Sequence, residues 1–110
     1  MHWIPLTDEK QLDDIIAASH QKPAAIYKHS TRCSVSVMVK KSLEQQWRLS
    51  DDALPVYYLD LLKFRSVSDQ IEKKLYVYHE SPQLILIRDG KAVYHASHSE
   101  IDFDQIAAKL

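Results

Sequence analysis

The sequence predicts an α/β domain: a mixed four-stranded sheet forming a three-layer sandwich with helices on both faces. Three observations predict it. Short runs of strand formers alternate with stretches of helical rhythm. The strand–helix–strand order in the first half implies a right-handed crossover between parallel strands. The dipeptide Asp89-Gly90 then signals a hairpin, because a type I′ turn needs positive φ at both central residues, and this adds an antiparallel pair.

The elements follow in order. Thr7 or Asp8 caps a first helix, with Leu12, Ile15, Ile16 and Ser19 on one face at helical spacing. That helix stops before Pro23, since the residue preceding a proline avoids the α region. Residues 24–28 are short and apolar, with Ile26 and Tyr27 as strand formers. Residues 29–34, His-Ser-Thr-Arg-Cys-Ser, are small and polar. Val35, Met38, Val39, Leu43 and Trp47 then keep a helical rhythm, so Cys33 sits where a strand joins the start of a long helix. A second strand covers 54–62, with Val56 to Asp60 at its centre. Ser66 opens a third helix through a Ser-x-x-Asp pattern with Asp69, and Val67, Ile71 and Leu75 make its buried stripe. Residues 79–83 form a loop holding Ser81-Pro82. Residues 84–87 and 92–95 are the hairpin strands. Asp102 with Gln105 caps a last helix carrying Phe103, Ile106, Ala107 and Leu110. Helix, strand, helix, strand, helix, strand, strand, helix is the thioredoxin-like layout.

The chain has 110 residues, the size of one domain, 1–110. Its 45% hydrophobic content supports a packed core. Fourteen basic against fifteen acidic side chains leave a net charge of −1, which argues against nucleic acid as a partner. No apolar run approaches the ~20 residues that span a bilayer. The opening Met-His-Trp-Ile-Pro lacks the basic and apolar regions of a signal peptide, so a cytoplasmic location is expected. The single cysteine, Cys33, excludes an intrachain disulfide, a cysteine-based zinc site and a two-cysteine redox cycle. The single glycine, Gly90, excludes Gly-rich phosphate loops.

A free cysteine is most often an inert buried hydrophobe. Here Cys33 is flanked by Arg32 and Ser34 at a strand-to-helix junction. A helix N-terminus carries roughly half a positive charge, and cations nearby lower a thiol pKa further. A reactive nucleophile is therefore expected, because the thiolate is what attacks disulfides. Arg32, Ser34 and Ser36 are the candidates to stabilise it. One helical turn brings Ser36 under Cys33. In a dithiol enzyme the second cysteine would stand at that position. Ser36 can only hydrogen-bond, so release of a thiol adduct needs an external thiol. Ser81-Pro82 precedes a strand and stands where thioredoxin-like proteins place a cis-proline facing the nucleophile.

Together these residues resemble a known family. His29-Ser30-Thr31-Arg32-Cys33-Ser34-Val35-Ser36, Tyr58-Leu59-Asp60-Leu61, Arg65, His79-Glu80-Ser81-Pro82-Gln83 and Ala96-Ser97-His98 look like the YtxJ family, the monothiol bacilliredoxins. The resemblance runs from the first helix to the C-terminus. It implies a cytosolic monothiol disulfide oxidoreductase that removes bacillithiol from S-bacillithiolated proteins. Cys33 would take the bacillithiol, and a low-molecular-weight thiol or another redoxin would regenerate it. No bound cofactor is implied, bacillithiol is the cosubstrate, and a monomer is expected. The family usually has Thr-Cys-Pro-Ile-Ser. Arg32 and Ser34 depart from that pattern, which bears on redox potential and thiol preference. The resemblance places the thiol between the Cys33 loop with Thr31, the Ser81-Pro82 loop, and Ser97-His98 before the last helix. The backbone of Ser81 would pair with the thiol's amide, and Lys28 and Arg32 would meet its malate carboxylates. An anion near Ser97 and His98 would be favoured by the following helix.

Other chemistry is poorly supported. The six histidines show no HExxH and no close helical pair, so no metal is expected. Asp60 is expected to pair with Arg65. An iron–sulfur carrier like the monothiol glutaredoxins would have Cys-Gly-Phe-Ser, and no glycine stands here. An arsenate-reductase-like protein would carry its cysteine nearer the N-terminus. The rival from another class is a non-catalytic thioredoxin-like module that binds protein at the Pro82 groove.

Overall fold

The computed structural model describes residues 1–110. Strand β1 covers Trp3–Pro5, helix α1 Glu9–Ala18, β2 Ala24–His29 and α2 Ser34–Gln46. Then come β3 Val56–Asp60, α3 Arg65–Leu75, β4 Gln83–Arg88 and β5 Lys91–Ser97. A 3-10 turn at His98–Glu100 leads into α4, Phe103–Ala108. The sheet runs β1-β3-β2-β4-β5. β1 and β2 both lie parallel to β3, while β4 is antiparallel to β2 and to β5.

The sheet has five strands, one more than the sequence predicts. The addition is β1, whose Trp3, Ile4 and Pro5 pair with Val56, Tyr57 and Tyr58 at the edge. Three residues ending in proline carry little strand signal, because proline cannot donate to a ladder. This edge is fixed instead by contacts remote in sequence. The Trp3 ring packs on Tyr27 and Tyr58, and the Leu6 amide donates to the Tyr58 carbonyl over 2.8 Å.

Side chains alternate across a strand, so each strand feeds two cores. On one face Ile26, Leu59, Ile85 and Ile87 pack with Leu12 and Ile15 of α1 and Val67, Ile71 and Leu75 of α3. On the other, Ala25, Tyr27, Val56, Leu84 and Leu86 pack with Leu43 of α2 and Phe103 and Ile106 of α4. Helices on both faces explain why β4 reads as a continuous apolar run. No helix is long and apolar enough to cross a membrane.

Asp8 caps α1 by accepting from the Gln11 amide over 2.7 Å, and Asp102 caps α4 by accepting from Gln105 over 3.2 Å. Helix α3 corrects the expected Ser66 cap. It starts at Arg65 with Phe64 as N-cap and no side-chain cap bond. The reason lies upstream, where Asp60 Oδ1 accepts from the Leu62 and Lys63 amides and the Asp60 carbonyl accepts from Phe64. This turn winds the chain before Ser66 is reached. It also occupies Asp60, which forms no ion pair with Arg65 among the contacts of the fold.

The hairpin turn has φ +54° at Asp89 and +76° at Gly90, as a type I′ turn requires. Ser19 ties it to α1, its carbonyl accepting from the Asp89 amide and its hydroxyl from the Gly90 amide over 2.8 Å. A Cβ at Gly90 would also come within 2.9 Å of the His20 ring. Gly90→Ala should therefore cost about 1 kcal/mol from the left-handed backbone alone. Thermal unfolding should show a midpoint lower by roughly 5 °C. An unchanged midpoint would mean that the turn relaxes freely.

Candidate active site

The site is built where β2 ends. Its six residues are all buried, including Lys28 and His29, and the chain leaves the sheet at Ser30. The Cys33 amide donates to the Ser30 carbonyl, and Cys33 is the N-cap of α2. Asp, Asn, Ser or Thr would normally stand here and accept from a first-turn amide. Cys33 makes no capping bond as a thiol, which is a poor acceptor. The Ser36 amide leads in holding its pKa below the ordinary thiol value. Partial burial opposes it, and the Ser36 hydroxyl and Val35 amide add to the lowering. The unfilled cap is thus a place for a thiolate.

Ser36 is fully buried and holds the junction together. Its carbonyl accepts from the Tyr27 hydroxyl over 2.7 Å, and its hydroxyl accepts from the Ser30 amide over 3.4 Å. Burial first, then Tyr58 and Cys33, push the Tyr27 hydroxyl far up, so it stays protonated. The Ser36 and Ser81 hydroxyls lie 3.5 Å apart, which brings the Ser81-Pro82 loop to the first turn of α2. The Ser81-Pro82 peptide is cis. The Pro82 carbonyl accepts from the His98 amide over 3.0 Å, so the segment after β5 joins the same wall.

The candidates separate into two groups. Cys33, Ser36, Ser81 and Pro82 form one contiguous unit. Ser97 and His98 line a cavity of about 340 Å³ with Glu80, His95, Ala96, Ser99 and Glu100. Thr31, Arg32 and Ser34 are exposed, and the groups that lower Cys33 belong to Ser36 and Val35. Two expectations need correction. Glu80 and Glu100 line the cavity with His95 and His98, and the Asp102 side chain already accepts from the Gln105 amide at the start of α4, so two carboxylates stand where an anion was expected and the helix start is taken. Lys28 does not face a ligand's carboxylates. It is fully buried on the α1–α3 side of the sheet, with Nζ 3.2 Å from His79 Nδ1. Alternation along β2 is the cause, since Tyr27 and Lys28 must point to opposite faces.

Sequence reasoning missed Tyr27 as a support for α2. It read Tyr27 only as a strand former, and its spacing to Ser36 carries no local signal. The fold gathers no group of three His, Cys, Asp or Glu side chains able to hold a metal ion.

A family model described as monothiol bacilliredoxin BrxC matches residues 4–106. Among solved structures, a thioredoxin-fold chain proposed to be an oxidoreductase superposes with a TM-score of 0.82 at 29% identity, covering 97% of this chain and 92% of that one. The thioredoxin of Malassezia sympodialis, at 13% identity, gives 0.75 over 97% of this chain and 86% of its own. Fasciola hepatica thioredoxin gives 0.73 at 13% identity, covering 96% and 93%. The fold is thioredoxin-like, and the two thioredoxins are similar in fold alone.

Two measurements test the site. Ser36→Ala removes a hydroxyl that favours the thiolate, and Cys33 alkylation at pH 7 should slow by roughly 10-fold, the worth of one charge-assisted hydrogen bond. An equal rate would show that the backbone amides suffice. Burial lowers Lys28 from 10.5 to about 8, against the pull of Glu72 and Asp69. Between those values the unfolded chain binds a proton that the folded chain has lost, so stability rises with pH across that window. It is lost again as pH falls to about 8. Denaturant titrations in a Cys33→Ser background should show this slope, and Lys28→Met should flatten it.

Proposed function

The chain belongs to the monothiol bacilliredoxin family, and from that premise we propose that it removes bacillithiol from mixed disulfides on protein cysteines. Its chemistry is thiol redox chemistry on a thioredoxin-like fold. The observation that carries the finer reading is Cys33 at the open N-cap of α2, facing the Ser36 amide and hydroxyl beside the Ser81-Pro82 loop.

The Cys33 thiolate attacks the bacillithiol sulfur of a protein–bacillithiol disulfide. The old S–S bond breaks as the new one forms, and the protein sulfur leaves as a thiolate that takes a proton from water. Cys33 then carries the bacillithiol as a mixed disulfide. Ser36 supplies no second sulfur, so a low-molecular-weight thiol or another redoxin attacks the adduct and frees Cys33. Exchange conserves electrons, since one disulfide is consumed and one formed in each step. The first-turn donors lower the cost of the thiolate and improve Cys33 as a leaving group in the second step.

The ligand's carboxylates are assigned to Arg32, because Lys28 is buried while Arg32 stands exposed next to Cys33. Thr31 and the Ser81 backbone flank the disulfide, and Ser97 and His98 border the cavity. On this reading the protein works as a monomer in the cytoplasm, with bacillithiol as cosubstrate and no bound cofactor or metal. Its partners are S-bacillithiolated proteins rather than nucleic acid.

The test is a mass-transfer experiment. Reduced protein is mixed with an S-bacillithiolated target, quenched in acid, and both intact masses are read, with Cys33→Ser alongside. Bacillithiol should move to the wild-type chain and leave the target free. A glutathionylated target run in parallel sets the thiol preference. No transfer by folded, reduced protein would overturn the proposal in favour of a non-catalytic binding module.

A further inference from the structure

The most anomalous group in the molecule is a lysine with no exposed surface. Lys28 stands in β2 between Leu59 of β3 and Gln83 of β4. Burying an ammonium is costly unless it is paired and hydrogen-bonded. Its nearest partner is no carboxylate but the ring of His79, with Nζ 3.2 Å from Nδ1. The other groups facing the pair come from α3: the Ser68 hydroxyl at 3.4 Å from Nδ1, and the charges of Arg65, Asp69 and Glu72. Glu72 Oε2 also accepts from the His79 backbone amide over 2.7 Å.

His79 opens the loop that ends at Pro82. The Gln83 side chain donates to the Tyr78 carbonyl over 2.9 Å, Ser81 stands 3.5 Å from Ser36, and Pro82 accepts from His98. We propose that Lys28 and His79 are a positioning pair that holds one proton between Nζ and Nδ1 and so seats the loop carrying Ser81 and Pro82 beside Cys33. An ammonium donating to Nδ1 requires a neutral ring with its proton on Nε2. A second proton on His79 sets two donors face to face, which expels the ring and unseats the loop. Burial, Lys28 and Arg65 all hold the ring's pKa below the ordinary imidazole value, against Glu72 and Asp69. The pair thus acts on how the partner disulfide is received rather than on the nucleophile itself. The kinetic consequence rests on the reading of Cys33 as the site of thiol exchange.

The test has two arms on the full chain. The first follows the His79 ring nitrogens by NMR through a pH titration. The wild type should show the Nε2–H form at neutral pH and protonate below the ordinary range, and in Lys28→Met the titration should move up toward it. An Nδ1–H ring in the wild type at neutral pH overturns the proposal, even where Lys28→Met fails to fold. So does an identical titration in the two proteins.

The second arm measures KM for an S-bacillithiolated protein against pH. Lys28→Met should raise KM by about fivefold, the low end of indirect coupling between groups, while Cys33 alkylation by iodoacetamide changes less than about twofold, since the first-turn donors are untouched. His79→Gln keeps an oxygen that accepts from Lys28 and cannot titrate, so it should retain the wild-type KM and lose its rise in acid. A rise in acid that persists in His79→Gln overturns the proposal. Absence of transfer by the wild type defeats the functional reading instead, and the NMR arm still decides the pair.

Discussion

Helix α2 begins without a capping side chain, and the Cys33 sulfur occupies the place where one would act. First-turn amides have no partner inside the helix and need one from outside. In the thiol form the Ser36 and Val35 amides face a weak acceptor, and in the thiolate form a strong one. Local helix geometry and cysteine acidity are therefore one constraint seen from two sides. The surrounding contacts serve to keep that turn in place. Tyr27 anchors the Ser36 carbonyl from the sheet, the Ser30 amide engages its hydroxyl, and Ser81 approaches from the loop before β4.

Strand β2 makes this possible because it is central and covered on both faces. Tyr27 points into the α2–α4 core and Lys28 into the α1–α3 core. Neighbouring residues thus support the two walls of the site from opposite sides of the sheet, one under α2 and one under the 79–82 loop. His29 follows, buried among Tyr27 and Tyr58 with Nδ1 unpartnered. Burial and then Lys40 hold its pKa down against Asp60, so it resists taking charge. The edge of this aromatic group is tied by Trp3, whose indole N–H donates to Glu44 over 2.7 Å, with Lys40 on the same carboxylate.

Charge around Cys33 is split rather than uniform. Arg32 stands exposed on the cysteine loop, while Glu80 and Glu100 line the cavity beside Ser97 and His98. A net charge of −1 conceals this arrangement. Ser34 stands where the family usually has proline. Its amide is one of the orphan donors at the helix start, which proline would lack, yet the groups that lower Cys33 are one and two residues further on.

The sequence by itself determined the α/β class, the order of its main elements, the hairpin at Asp89-Gly90, the cap at Asp102, a first cap at Thr7 or Asp8, and the single cysteine at a helix start. These depend on local rules: hydrophobic period, left-handed turn residues, and short polar side chains that bond amides three positions on. The early start of α3 is also local, because Asp60 bonds amides two and three positions on before Ser66 is reached. Tertiary structure alone decided three other things. Strand β1 exists because Trp3 meets Tyr27 and Tyr58, contacts distant in the chain. Lys28 faces His79 and no ligand, because the register of β2 between β3 and β4 sets its face. Tyr27 supports α2 because strand and helix cross at Ser36. Each joins residues whose separation along the chain carries no periodic signal, and only packing brings them together.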